Sequence, residues 1–204
     1  MKLIWIRHGE TNWNREFRLQ GCSDVELSAE GRRQAACLAS RFPDKPDKIY
    51  TSSLKRAQAF SAPLASRFAL IPTVLPELRE MSFGHWEGLR YADMDQEMQV
   101  LFEKWCADPV NTCPPGGEAG VSFAHRVQKA VEIIMSETAT TETAILFTHG
   151  GVIRVAVAML MGMAPAAAAR LQIDTGSLTV LEYQADRWRL IRFNDICHLK
   201  TEDC

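Results

Sequence analysis

Lys2-Leu3-Ile4-Trp5-Ile6-Arg7-His8-Gly9 opens the chain with a short apolar run that stops abruptly in a polar cluster. A continuous apolar run of this length reads as a strand buried on both faces that feeds a functional loop. Ala144 to Phe147, followed by Thr148-His149-Gly150-Gly151, repeats the pattern. Around these two stretches, strand-like and helix-like segments alternate. Ser28 precedes a helical stretch to Phe42, punctuated by Pro43 and Pro46. Asp47 to Tyr50 reads as a strand. Ser52 or Ser53 then caps a helix carrying Leu54, Ala57, Leu64 and Phe68, with Pro63 expected to kink it. Pro72 to Leu75 is a further strand candidate, and Ser122 to Ser136 an amphipathic helix. Ser177 to Tyr183 and Trp188 to Phe193 flank Gln184-Ala185-Asp186-Arg187 as a hairpin. Met81 to Glu118 has no regular period. It offers one acidic helix around Tyr91 to Trp105 and a Pro114-Pro115-Gly116-Gly117 loop, and reads as a lid inserted over the core, about residues 81–120.

The alternation predicts the α/β class: a three-layer α/β/α arrangement on a mostly parallel sheet, to which the final hairpin adds an antiparallel edge strand. At roughly 100–200 residues per domain, a chain of 204 residues is expected to form one domain, residues 1–204. Ligands of such sheets bind beyond the carboxyl ends of the strands. Two strands here end in histidine-bearing clusters.

Composition narrows the function. With 47% hydrophobic and 24% charged residues the chain is neither disordered nor fibrous. A net charge of −2 argues against bulk nucleic-acid binding, which needs a basic stripe. Yet 16 of the 23 basic residues are Arg, the fork-shaped binder of phosphate and carboxylate, so a small anionic ligand stays open. The longest uncharged apolar stretch, Val155 to Ala169, is 15 residues, short of the roughly 20 needed to cross a bilayer. Lys2 to Arg7 encloses too few apolar residues for a signal core, so a cytoplasmic location is expected, with no membrane partner. Cysteines 22, 37, 106, 113, 197 and 204 form no C-x-x-C and read as reduced thiols, mostly small buried hydrophobes.

The chain contains no H-E-x-x-H, no aspartate-rich loop, no phosphate loop and no G-x-S-x-G elbow, so a metal or cofactor has little support. A histidine beside an arginine at a strand end suits another task. Neutral imidazole is a nucleophile near pH 7, and Arg7 next to His8 both favours the neutral ring and clamps an anion. An electrophile held by arginines and attacked by histidine points to a phosphoryl group.

The sequence resembles the histidine phosphatase (phosphoglycerate mutase-like) superfamily. Ile6-Arg7-His8-Gly9-Glu10-Thr11-Asn12-Trp13-Asn14 matches its R-H-G-x-T-x-x-N signature. Gln20-Gly21, Leu27-Ser28, Gly31, Gln34-Ala35 and Ser52-Ser53-Leu54-Lys55-Arg56-Ala57 follow. Leu78-Arg79-Glu80, Phe83-Gly84, Trp86-Glu87-Gly88 and Pro115-Gly116-Gly117-Glu118 come next, then Thr148-His149-Gly150-Gly151, with Asn194-Asp195 and His198-Leu199 near the end. They run in family order over nearly the whole chain.

The resemblance implies a phosphoglycerate mutase-like fold and a division of labour. His8 is implied as the nucleophile that becomes phosphohistidine. Arg7, Arg56 and His149, with Asn14, are implied to bind phosphoryl oxygens, and Gln20, Gly21 and Gly150 to line the phosphate and substrate site. Glu80 is implied as the general acid for the leaving alkoxide, then the base for water. Arg56 is expected in the first turn of a helix. No metal or other cofactor is implied. The partner is a small phosphorylated metabolite, and a homodimer is possible. His85, His125 and His198 read as structural, and Phe83, Trp86 and Trp105 as core or lid packing.

The superfamily holds phosphatases and mutases. Met81 to Glu118 carries seven acids (Glu87, Asp93, Asp95, Glu97, Glu103, Asp108, Glu118) against Arg90 and Lys104, a poor surround for a second phosphate. A metal-independent phosphomonoesterase is therefore favoured, with a cofactor-dependent phosphoglycerate mutase and a non-catalytic phospho-ligand binder as alternatives. The F-G-x-W-E-G, P-P-G-G-E and terminal N-D-x-x-H-L motifs resemble the alpha-ribazole phosphatase group of cobalamin synthesis, which implies alpha-ribazole 5′-phosphate as substrate. That group often has Ser after the loop Glu and Asp three positions on, where this chain has Ala119 and Ser122.

Overall fold

Successive residues of the first strand, β1 (Lys2–Arg7), face opposite sides of a sheet, and both sides are covered. Leu3 and Trp5 join one buried cluster with Tyr50, Leu146, Val127 and Val152; Ile4 and Ile6 join the other with Leu38, Phe60, Leu64 and Phe147. The computed structural model that shows this describes residues 1–200. After β1 come α1 (Asn12–Arg15), α2 (Ala29–Arg41), β2 (Lys48–Thr51), α3 (Lys55–Phe68), β3 (Thr73–Val74), α4 (Gln96–Ala107), α5 (Gly120–Glu137), β4 (Thr143–Thr148), α6 (Gly150–Leu160), β5 (Leu178–Gln184) and β6 (Arg187–Asp195). Helices α2 and α3 supply one outer layer, and α5 and α6 the other. Fully burying one large apolar side chain stabilises by about 1.5–3 kcal/mol, so these two layers hold the sheet from both faces.

The strand order is β3-β2-β4-β1-β5-β6. The pairs β3–β2, β2–β4 and β4–β1 are parallel, whereas β5 runs against β1 and the edge strand β6 against β5. The expected hairpin thus supplies two strands. Its turn sets Ala185 and Asp186 at φ of 50° and 55°, the left-handed pair that a two-residue loop of right-handed twist demands.

The parallel register decides where the polar clusters land. Arg7 pairs with Thr148, and Thr51 with Phe147. The residues just beyond these strand ends, His8, Ser52 and His149, therefore emerge at one level. The His8 N–H donates to Thr148 O at 2.9 Å and the Ser52 N–H to Phe147 O at 2.9 Å.

Several local expectations are corrected. Helix α3 begins after Leu54, whose side chain cannot cap it, and neither Ser52 nor Ser53 holds the cap position. The Ser52 oxygen instead accepts from Leu54 N–H at 3.3 Å. That Pro63 lies inside a helix reaching Phe68 is as the sequence reading has it. The acidic helix starts at Gln96, not Tyr91, because the Asp95 side chain accepts from Met98 N–H and fixes the start there. Cys22, Cys106, Cys113 and Cys197 are free thiols, three of them exposed rather than buried. Cys37 is buried and disulfide-bonded, so the reading of every cysteine as a reduced thiol fails there; Cys204 lies outside the described residues. No helix among the described residues is long and apolar enough to cross a membrane.

In the 81–120 segment, Phe83, Trp86, Phe102 and Trp105 pack edge-on or tilted with centroids 5.4–6.1 Å apart. Their packing bears out the structural reading of the aromatics. The acids are mostly engaged locally. Asp93 pairs with Arg90, Asp95 and Asp108 cap backbone N–H groups, Glu103 accepts from the Tyr91 hydroxyl, and Glu118 pairs with Arg126. Of these partners only Arg126 is a cation from outside the segment, joined by Arg18 at 4.0 Å from Asp93, so the acidic excess is reduced but not removed.

Candidate active site

His8 leaves the end of β1 almost fully buried, and its ring orientation is fixed by its neighbour. Its Nδ1 lies 2.7 Å from the Gly9 carbonyl oxygen. A carbonyl only accepts, so Nδ1 carries the proton and Nε2 keeps its lone pair. Arg56 Nε–H donates to that Nε2 at 3.2 Å. Burial above all, then the charges of Arg56 and Arg7, hold His8 well below its ordinary 6.5, despite the opposing Gly9 hydrogen bond. The ring is neutral at pH 7, and its Nε2 electron pair, taken here by the Arg56 N–H, lies beside two guanidinium groups.

Arg56 is the second residue of α3 and fully buried, as the helix-start reading expected. Its Nη1 and Nη2 donate to the carbonyls of Ser23 and Gly21, each at 2.7 Å, which sets the fork and leaves Nε toward His8. Arg7 donates from Nη1 to Ile173 O at 2.6 Å, and its Nε is buried without a partner among the described residues. Burial pushes the Arg7 pKa down to about 10, against the pull of Glu80. It remains a cation at pH 7.

His149 is fully buried, with its ring centroid 5.1 Å from that of His8 in an edge-on arrangement. Its Nε2 lies 2.8 Å from Ser52 Oγ, while Nδ1 has no partner among the described residues. Burial first, then Arg56, keeps it well below 6.5 and neutral.

Glu80 lies on the loop after β3. One carboxylate oxygen accepts from Gly151 N–H at 3.0 Å and the other from Met81 N–H at 3.0 Å. The carboxylate therefore sits on the positive end of α6, an 11-residue helix. A Cβ at Gly151 would lie 2.3 Å from Glu80 Oε1, so any larger residue displaces the carboxylate from this position. Arg126 pins the same loop. It donates to the carbonyls of Glu77, Arg79 and Glu80 at 2.9, 2.7 and 3.2 Å, and is itself held by both oxygens of Glu118. Thr148 adds a hydroxyl to Leu78 O at 2.7 Å.

The structure thus gathers Arg7, His8, Arg56, Glu80 and His149 around one strand-end site. The other expected positions sit differently. The Asn14 carboxamide oxygen accepts from Thr11 in a capping box, which leaves its NH2 to donate. Gln20 is buried with Oε1 unpartnered among the described residues. Gly21 acts through its carbonyl on Arg56. A Cβ at Gly150 would meet Arg7 at an ordinary 3.6 Å, so its neighbour Gly151 carries the steric demand. Sequence reading missed Gly151, Arg126 and the partnership of Ser52 with His149. Nothing local marks them, because each acts through a contact far away in the chain.

A phosphoryl group in this site would meet two guanidinium groups, an unpaired imidazole nitrogen and an attacking lone pair, with a carboxyl group nearby for proton transfer. The family model of the histidine phosphatase superfamily, branch 1, matches residues 3–196. The chain belongs to that superfamily.

Among its histidine phosphatase relatives, the chain is 31% identical to the adenosylcobalamin/alpha-ribazole phosphatase of Escherichia coli, over 89% of this chain and 90% of that protein. It is 32% identical to the glucosyl-3-phosphoglycerate phosphatase of Mycobacterium tuberculosis, over 98% and 97%. The crystal structure of the alpha-ribazole phosphatase from Shigella flexneri superposes with a TM-score of 0.87 at 30% identity, covering 96% of each chain. The superfamily match and its phosphatase relatives support phosphatase activity, and the sheet flanked by helices matches the phosphoglycerate mutase-like fold.

Proposed function

We propose that the chain is a metal-independent phosphomonoesterase that acts through a phosphohistidine on His8. The observation that carries this is the tautomer: the Gly9 carbonyl takes the Nδ1 proton, so Nε2 bears the electron pair, which accepts from Arg56 Nε–H until a phosphoryl group takes that place. In the first step Nε2 attacks phosphorus and the bond to the ester oxygen breaks. Arg7, Arg56 and the free Nδ1 of His149 bind the three equatorial oxygens as negative charge gathers there. Glu80 is the group placed to pass a proton to the leaving alkoxide. In the second step Glu80, now a carboxylate, takes a proton from water while the water oxygen attacks phosphorus. The N–P bond breaks, and inorganic phosphate and the starting enzyme result.

Alpha-ribazole 5′-phosphate is the leading substrate. Its support is the terminal and loop motifs together with the names of the relatives from Escherichia coli and Shigella flexneri. The glucosyl-3-phosphoglycerate phosphatase makes a phosphorylated glycerate derivative the next class to test. A panel of alpha-ribazole 5′-phosphate, glucosyl-3-phosphoglycerate and phosphoserine, assayed for released phosphate with and without a chelator, tests the reading. We expect hydrolysis that survives chelation and is fastest for the ribazole ester. Migration of phosphate between substrate positions without release would favour a mutase. Tight binding without turnover of any ester would favour a phospho-ligand binder.

A further inference from the structure

The peptide unit joining Gly21 and Cys22 lies between two opposite charges. Its carbonyl accepts from Arg56 Nη2 at 2.7 Å, and its N–H donates to Glu87 Oε1 at 2.9 Å. Glu87 is a half-buried carboxylate from the 81–120 segment, and every polar contact it makes is with the two loops around the site. Oε1 also accepts from Phe83 N–H at 3.0 Å and the Ser82 hydroxyl at 3.3 Å; Oε2 accepts from Ser23 N–H at 2.7 Å and from the Ser23 hydroxyl. Ser23 in turn gives its carbonyl to Arg56 Nη1. Gly21 takes φ of +51°, and a Cβ there would strike Glu87 Oε1 at 2.1 Å. The loop is therefore shaped around the carboxylate on one side and the guanidinium on the other.

We propose that Glu87 is a positioning residue for Arg56. It acts as one counter-ion of the buried arginine, beside Glu80 and Asp24, through one intervening peptide, and ties that arginine to the 81–120 segment. Peptide dipoles aligned between a carboxylate and a guanidinium strengthen both hydrogen bonds. Burial pushes the Glu87 carboxyl upward, but hydrogen bonds from Ser23, Cys22 and Phe83 outweigh it, so Glu87 is charged at pH 7. The Nη1 and Nη2 arms of the fork are then fixed before any phosphoryl group arrives, so only the Nε contact to His8 must be exchanged for the phosphoryl group. The inference rests on the proposed role of Arg56 in phosphoryl binding.

A double-mutant cycle tests it, with Glu87→Gln and Arg56→Ala assayed on 4-nitrophenyl phosphate and by calorimetric titration of inorganic phosphate. Glu87→Gln keeps one acceptor oxygen and removes the charge. In the wild-type background we expect roughly a tenfold to hundredfold loss of kcat/KM, the scale of a misplaced catalytic group, and weaker phosphate binding. In the Arg56→Ala background the same change should cost less than about threefold, since coupled residues do not add. Equal losses in both backgrounds, or unchanged phosphate affinity, would overturn the proposal. Should Glu87→Gln fail to fold, Ser23→Ala removes one hydroxyl from the carboxylate and should give a smaller loss with the same dependence on Arg56. If the wild type hydrolyses no phosphomonoester, the functional reading fails, and the phosphate titrations still decide the role of Glu87.

Discussion

His149 Nε2 lies 2.8 Å from the Ser52 hydroxyl, while its Nδ1 is buried with no partner among the described residues. The Ser52 oxygen already accepts from Leu54 N–H, so its own proton is free to go to Nε2. With the Ser52 hydroxyl donating to Nε2, the imidazole proton sits on Nδ1, where it can meet a phosphoryl oxygen. Ser52→Ala should let the ring take either tautomer. Losing one buried partner costs about 1–3 kcal/mol, so kcat should fall by ~5- to 150-fold, with Ser52→Thr retaining more activity. Nitrogen-15 shifts of His149 should report Nδ1 protonation in the wild type and a mixture in Ser52→Ala. An unchanged shift would place the proton elsewhere.

Gly151→Ala should behave like a mild loss of Glu80. The added Cβ, 2.3 Å from Glu80 Oε1, must push the carboxylate off the α6 N-terminus. The deficit should be larger for an alkyl phosphate than for 4-nitrophenyl phosphate, whose phenolate leaves with little proton help. Glu80→Gln should show the same split more strongly. Equal losses on both esters would mean that the change acts on folding or binding instead.

Stability should fall on acidification. Burial and the Arg56 charge hold His8 and His149 well below the ordinary 6.5 in the folded chain. Below pH 6.5 the unfolded chain therefore takes up protons that the folded one refuses. The stability conferred by the neutral pair is intact above about 6.5 and declines as pH drops toward the folded values. Each histidine should contribute about 1.4 kcal/mol per pH unit to that decline. Denaturant unfolding at pH 7.5, 6.5 and 5.5 should show it, and His149→Asn should have a shallower slope. Identical slopes would mean that His149 is charged in the folded protein.

Much of this arrangement is legible along the chain because the parallel sheet turns sequence into place. Apolar runs ending in Arg7-His8 and Thr148-His149 are strands, and register brings their ends together. Arg56 is legible through the resemblance carried by Ser52-Ser53-Leu54-Lys55-Arg56-Ala57, since its place near a helix start does not set it apart from Lys55. The supports are not legible in the same way. Ser52 looks like a helix cap, and only β2–β4 pairing shows that it faces His149 instead. Gly151 looks like one more glycine at a helix start until Glu80, 71 residues away, is seen against it. The acids of residues 81–120 are countable in the sequence, but their partners are not: Arg126 and Arg18, from outside the segment, reach Glu118 and Asp93 and reduce the excess that counting alone suggests.

The central claim is the covalent step on His8. Rapid quenching of the wild type with phosphorus-32-labelled ester, without a chelator and then with one, measures it most directly. The account predicts acid-labile, alkali-stable label on the protein under both conditions, formed within a turnover and absent from His8→Ala. Label that persists in His8→Ala, or turnover in the wild type with no labelled protein at any time, would contradict it.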